Sequence, residues 1–227
     1  MSLIVFGDQG ASEHFFAANA AGFKRPKAIR FKQGILSPGA YIDNRKMASH
    51  PAAWDAIMSM VIVQAESLRK DYDVIASVAT GGIIHGGVIA RELRMPHVIV
   101  KKQEKTAHGL AGLIDGDPSV LPGSRILLVE DMSSTFKSSL DAMRPLEHEG
   151  ANVVHTILLT TWDLPDFRRN VADQSVFAVC TGETLLDGAV RRKNVDSEHE
   201  RILRRWLEHP EDESWANDGK WELPKAA

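Results

Sequence analysis

The chain carries one cysteine, Cys180, among 227 residues, so no internal disulfide can form and a reducing compartment is its natural setting. Cys180 sits in the apolar run VFAVC, where a thiol serves as a small core side chain rather than a nucleophile. Basic charge is not in surplus. The 27 Lys and Arg against 30 Asp and Glu leave a formal net charge of −3, which gives no support for bulk nucleic-acid binding. No apolar run approaches the roughly 20 residues that a membrane-spanning helix needs. The opening MSLIVFGDQGASEHFF has no basic n-region and no long apolar core, so no signal peptide is expected. Internal repeats and low-complexity blocks are missing too. These absences predict a cytoplasmic protein without a nucleic-acid or membrane partner. What is present is a soluble composition, 44% hydrophobic and 25% charged, at a length that suits one sizeable α/β domain.

The stretch RILLVEDMSSTFKSSL, Arg125 to Leu140, organises the rest. Ile126 to Val129 form a short apolar run without helical period, as expected of a strand covered on both faces of a parallel sheet. Glu130 and Asp131 follow at its carboxyl end, where open α/β sheets place ligands. Ser133, Ser134, Thr135, Lys137, Ser138 and Ser139 then fall at a predicted helix N-terminus, whose hydroxyls and free N–H groups suit phosphate. Acids for a sugar diol beside donors for a phosphate suggest a ribose phosphate site.

Around this stretch, strands and helices alternate. Strands are predicted at Asp73–Val78, His97–Val100, Arg125–Val129, Asn152–Thr160 and Ser175–Val179. Helices are predicted at Ala52–Lys70, through Leu93, at Lys137–His148 and at Ser197–Leu207. This pattern gives an α/β fold with a doubly wound, mainly parallel five-stranded sheet and helices on both faces. Met1–Phe23 is expected to hold a short helix, Ala28–Lys46 two short strands, and the region from Thr181 a polar stretch, one helix and an acidic tail with Trp215 and Trp221. One domain is expected, with an N-terminal region (1–50), the core sheet (51–180) and a C-terminal helix and tail (181–227).

Two further constellations carry chemistry. Thr80, Gly81 and Gly82 follow the first central strand, and paired glycines let backbone N–H groups approach an anion. The alternative is a plain tight turn. A dinucleotide site fits poorly, because GGIIHGG is not GxGxxG and the next strand ends in Lys101-Lys102 rather than an acid. Lys101, Lys102, Lys105 and His108 open a Gly-rich loop at a strand's carboxyl end. A charge run is usually a solvated face, but long basic loops beside a site also close over polyphosphates.

With these motifs in sequence order, the chain resembles the orotate phosphoribosyltransferases of the type I phosphoribosyltransferase family, from about Phe31 to Leu159. FKQGILSPGAYID resembles the family's Lys-Ser-Gly…Ser-Pro…Tyr segment. VATGGIIHGGVIARELRMPHVIVKKQEKTAHG resembles its Gly-Gly-Ile-Pro turn and basic loop, and ILLVEDMSSTFKSS its phosphoribosyl pyrophosphate signature. The resemblance implies an N-terminal hood over the core sheet and transfer of a phosphoribosyl group from 5-phosphoribosyl 1-pyrophosphate to orotate. It implies Mg²⁺ as cofactor, held mainly through the substrate, with Glu130 and Asp131 as further candidate ligands. It implies a homodimer with shared sites.

The implied roles are specific. Lys32 contacts substrate, and Tyr41 with Ile42 lies against the base. Thr80, Gly81 and Gly82 bind pyrophosphate, which Lys101, Lys102, Lys105 and His108 grip. Glu130 and Asp131 hold the ribose hydroxyls, and Ser133, Ser134, Thr135, Lys137 and Ser138 the 5′-phosphate. Lys105, His108 and Asp131 are the expected catalytic groups. The chain departs from the pattern at Phe136, where the family has glycine, and at Leu164, where it has the arginine for the pyrimidine carboxylate. Lys101 replaces an arginine, and Gly-Ile-Pro becomes Gly82-Ile83-Ile84. Leu164 favours a transferase for another base as the alternative, and Phe136 a regulator that binds the donor without turnover.

Overall fold

The apolar runs of the chain become strands wherever both faces find helices to cover them. The computed structural model describes residues 3–8, 10–31, 33–101 and 111–224. The chain opens with β1 (Ile4–Val5), α1 (Ala11–Ala17), β2 (Ala21–Phe23), β3 (Ile29–Arg30), β4 (Leu36–Ser37) and β5 (Ala40–Ile42). It continues through α2 (Pro51–Ser67), β6 (Val74–Val78), α3 (Gly82–Leu93), β7 (His97–Val100) and β8 (Ile114–Asp115). The remainder is β9 (Arg125–Ser133), α4 (Lys137–His148), β10 (Asn152–Thr161), α5 (Pro165–Asn170), β11 (Val176–Thr181), α6 (Gly182–Arg191) and α7 (Ser197–Glu208).

The main sheet has the order β1-β11-β10-β9-β6-β7-β8. Among the described residues it has seven strands rather than the expected five. The five long strands are the predicted ones, and a two-residue strand has joined each edge. These additions are too short to leave an alternation in the sequence. β8 folds back antiparallel on β7, pairing Val100 with Ile114, while the other neighbours are parallel. Two small hairpin-like pairs, β2 with β5 and β3 with β4, stand apart from it.

Side-chain alternation divides the core in two. Ile75, Leu127, Val129, Ile157, Leu159 and Val179 pack with Ile57, Val61 and Ile89 of α2 and α3. Val74, Ala76, Ile126, Leu128, Leu158 and Val176 pack with Met143, Leu146 and Phe167 of α4 and α5. Both sheet faces are therefore buried, as a parallel sheet requires. A third cluster, of Trp162, Leu164, Leu186, Leu203 and Trp206, joins α6 and α7 to the hood side.

Among the described residues, the region from Thr181 holds two α-helices where one helix was expected. Thr181 and Thr184 form a capping box, with Thr184 N–H donating to Thr181 Oγ1 at 3.3 Å and Thr181 N–H to Thr184 Oγ1 at 2.8 Å. Together with the buried stripe Leu185, Leu186 and Ala189, that signal outweighs the polar composition.

One topological fact positions the site. The chain leaves β6 for β7 on one side and returns to β9 on the other. The crevice at the carboxyl ends of β6 and β9 is therefore a switch point, where doubly wound sheets bind ligands.

Candidate active site

Gly81, at the start of α3, and Asp131, on β9, meet across this switch point. A Cβ built on Gly81 would fall 2.2 Å from the Asp131 carboxyl carbon, so the acid occupies the space that a side chain there would fill. On the neighbouring Gly82, a Cβ would fall 2.5 Å from the backbone oxygen of Val129. Thr80 is exposed at the mouth of the same turn. β9 extends beyond the predicted Val129, because Met132 and Ser133 pair with Thr160 and Thr161 of β10. The two acids therefore project from an extended strand to opposite faces.

Glu130 is 3% exposed and points toward α4. Its carboxylate accepts hydrogen bonds from Ser138 Oγ at 2.8 Å and Ser139 Oγ at 2.5 Å. These charge-assisted bonds satisfy a buried carboxylate and fix the first turn of α4 on the strand. Asp131, half-buried, lies on the Gly81 side. Its peptide oxygen accepts from Asn44 Nδ2 at 2.7 Å.

Ser133, Ser134 and Thr135 are buried in the turn ahead of α4, while Lys137 is exposed. Ser133 Oγ accepts from the Phe136 N–H at 2.9 Å, and the Thr135 carbonyl accepts from Asn170 Nδ2 at 2.6 Å. Phe136 adopts the left-handed conformation, with φ +63°. Its ring is fully buried, edge-on to Phe167 at 5.6 Å between centroids. The bulky residue thus takes backbone angles glycine would adopt freely and turns its side chain into the core beneath α4. The turn's N–H groups at the helix start, which have no partner within the helix, form the kind of site that suits an anion.

Tyr41, on β5, donates to Asn19 Oδ1 at 2.5 Å and lies beneath the Lys24 ammonium, 4.5 Å from the ring centroid. Burial pushes its hydroxyl pKa up. Lys101, at the end of β7, pairs with Asp115 of β8 at 2.9 Å. Lys32, Lys102, Lys105 and His108 lie outside the described residues.

The position expected to meet a pyrimidine carboxylate is closed. Leu164 is fully buried against Trp162 and Trp206. Asp163 precedes it in the left-handed region and pairs with Arg168 Nε at 3.1 Å. Burial raises the Asp163 pKa, and the Arg168 charge pulls the other way. Arg169 pairs with Asp166 instead.

His85 faces α2 rather than the crevice. It is fully buried, and its Nδ1 accepts from Trp54 Nε1 at 3.2 Å. Among the described residues no group of three or more His, Cys, Asp and Glu is placed to hold a metal. Asp131 and the turn hydroxyls are hard oxygen donors, chemically suited to Mg²⁺ if a substrate supplies the remaining oxygens. Asn44 is a contributor that the sequence did not announce. Its partners lie 87 and 116 residues away, so no local pattern marks it.

The family model of the phosphoribosyl transferase domain matches residues 45–172. The chain belongs to that family. Curated relatives extend the match. An orotate phosphoribosyltransferase of Coxiella burnetii is 33% identical over 184 residues, 80% of this chain and 86% of that protein. One of Enterococcus faecalis is 31% identical over 180 residues, 78% of this chain and 84% of its own. Among solved structures, orotate phosphoribosyltransferase from Aeropyrum pernix superposes with a TM-score of 0.64 at 17% identity, covering 78% of this chain and 96% of that one. Leishmania donovani UMP synthase gives 0.70 at 21% identity, covering 88% of this chain and 42% of that one. These two share the fold. In this phosphoribosyltransferase the matched segment holds the whole switch-point crevice, from Gly81 to the α4 turn. No helix among its described residues is long and apolar enough to cross a membrane.

Proposed function

We propose that the protein is an orotate phosphoribosyltransferase, which transfers the phosphoribosyl group of 5-phosphoribosyl 1-pyrophosphate to orotate, releasing pyrophosphate and forming orotidine 5′-monophosphate for pyrimidine nucleotide synthesis. The observation that carries this is the apposition of Asp131 with Gly81 beside the α4 turn. It sets an acid for ribose hydroxyls between two backbone turns able to hold the phosphates at either end of the donor. Relatives at 33% and 31% identity that bear the name orotate phosphoribosyltransferase support the acceptor.

In this mechanism the turn Ser133–Thr135, with the N–H groups of Lys137 and Ser138, anchors the 5′-phosphate. Asp131 orients the ribose hydroxyls, and Glu130, fixed by Ser138 and Ser139, holds the strand and helix that flank them. Thr80, Gly81 and Gly82 cradle the pyrophosphate. The C1–oxygen bond to pyrophosphate breaks to leave an oxocarbenium-like ribose, and the base nitrogen attacks C1. Lys101, Lys102 and Lys105 neutralise the leaving group, and His108 carries to it the proton that the base nitrogen gives up on attacking C1. Asp131, with oxygens of the donor, would hold Mg²⁺, which would supply further neutralisation of the pyrophosphate. The loop that bears these lysines keeps water from the cation. A homodimer that shares this loop between sites completes the proposal.

Leu164 favours a second reading, a different base as acceptor, because a buried leucine offers a carboxylate no donor. Purified protein with the donor, Mg²⁺ and a panel of bases separates the two. Consumption of orotate with release of pyrophosphate is expected. Turnover of another base alone would establish the second reading, and donor binding without turnover of any base would overturn both. Sedimentation of a fully active monomer would refute the shared loop.

A further inference from the structure

Asn44 lies at the start of the turn Asn44–Ser49, which joins the hood strands to α2. Its side chain is fully buried. The Nδ2 group donates to the Asp131 carbonyl at 2.7 Å and to Thr160 Oγ1 at 2.7 Å. Asp131 and Thr160 stand on adjacent parallel strands near their carboxyl ends. One amide therefore bridges β9 and β10 from the hood side, at the residue whose carboxylate lies on Gly81. The Oδ1 atom is buried and finds no partner among the described residues. A flipped amide would not relieve it, because Oδ1 would then face the Asp131 carbonyl, which only accepts. The donor toward Asp131 sets the orientation, at the cost of an unsatisfied buried oxygen.

We infer that Asn44 is a positioning residue for the transfer reaction, holding the Asp131 peptide and hence the angle at which its carboxylate enters the crevice. This rests on the proposed function, since positioning has meaning only where Asp131 meets the donor. Peptide and side chain of one residue share a Cα, so a rotation of the unanchored peptide would swing the carboxylate across the Gly81 contact. Hydrogen-bonded second residues of this kind govern how well a catalytic group is aligned.

A double-mutant cycle tests it, with kcat, KM for the donor and donor affinity by calorimetry read for Asn44→Ala, Asp131→Asn and the pair. If Asn44 acts through Asp131, Asn44→Ala lowers kcat about tenfold or more, and the pair is no slower than Asp131→Asn alone within about twofold. Thermal melts check that each variant is folded. Asn44→Leu, which keeps the branching at Cγ and removes the donor, replaces Asn44→Ala if the latter fails to fold. Additive losses in kcat in an active enzyme would overturn the positioning role while leaving the function standing. A wild-type protein that neither binds nor consumes the donor would overturn both.

Discussion

The Asp131 carboxyl group occupies the place that a side chain on Gly81 would take, 2.2 Å from the Cβ it lacks. The obstacle is the far end of a side chain, which can swing aside. Gly81→Ala should therefore leave the fold intact, within about 1 kcal/mol, and move the acid out of register. At Gly82 the obstacle is the Val129 backbone oxygen at 2.5 Å, which cannot move alone. Gly82→Ala should cost roughly 1–3 kcal/mol through overpacking. Thermal melts paired with transferase rates should show activity lost first at Gly81 and stability lost first at Gly82. A fully active Gly81→Ala protein would remove Asp131 from the reaction.

Phe136 opposes two effects. The left-handed backbone at φ +63° costs a non-glycine residue about 1 kcal/mol. Burial of the ring against Phe167 outweighs it, since truncating a buried Phe to Ala removes roughly 3–5 kcal/mol. Phe136→Ala should be strongly destabilising in chemical denaturation. Phe136→Gly should be less so, by about 1 kcal/mol, because glycine relieves the backbone. Equal losses would mean that the turn carries no strain.

His85 predicts a pH dependence. Burial lowers its pKa from 6.5 to about 4. Between those values the unfolded chain takes up a proton that the folded one refuses, so stability falls as pH drops from about 6.5 toward about 4. Over that window the loss is about 3 kcal/mol at most. His85→Asn, with denaturation measured at pH steps across the window, should flatten the difference from wild type. A parallel pair of profiles would show that His85 titrates normally.

The C-terminal segment holds the hood. Glu222 donates its N–H to the Pro26 carbonyl at 2.9 Å and accepts from the Ala28 N–H at 3.0 Å. Trp221 is buried beneath Arg25, edge-on to His199 and Trp215. Trp221→Ala should cost roughly 3 kcal/mol and speed hydrogen exchange of the Ala28 amide, since the tail segment loses its anchor. Unchanged protection at Ala28 would show the hood to be self-supporting.

Cys180 should be inert. Burial raises its thiol pKa to about 12, so the nucleophilic thiolate is scarce at neutral pH. Native protein should resist thiol-alkylating reagents that label it once denatured; rapid labelling of the folded chain would contradict its burial.

The sequence alone carried the sheet's long strands and α4, because buried parallel strands read as uninterrupted apolar runs and an amphipathic helix as a 3.6-residue period. It carried the family as well, through three motifs in order. It also placed Glu130 and Asp131 together at a strand's carboxyl end, beside the turn hydroxyls. What it could not carry was which acid faces the crevice and which is bonded into a helix, since that depends on where α3 and α4 pack. Asn44 was equally invisible, its partners being Asp131 and Thr160 on distant strands. Phe136 looked like an intrusion into a phosphate turn, and only the space beneath α4 shows where its ring goes. Local pattern fixes elements because backbone periodicity is local. The direction of a functional side chain is settled by contacts between residues far apart in the chain, and those exist only once the strands have taken their order in the sheet.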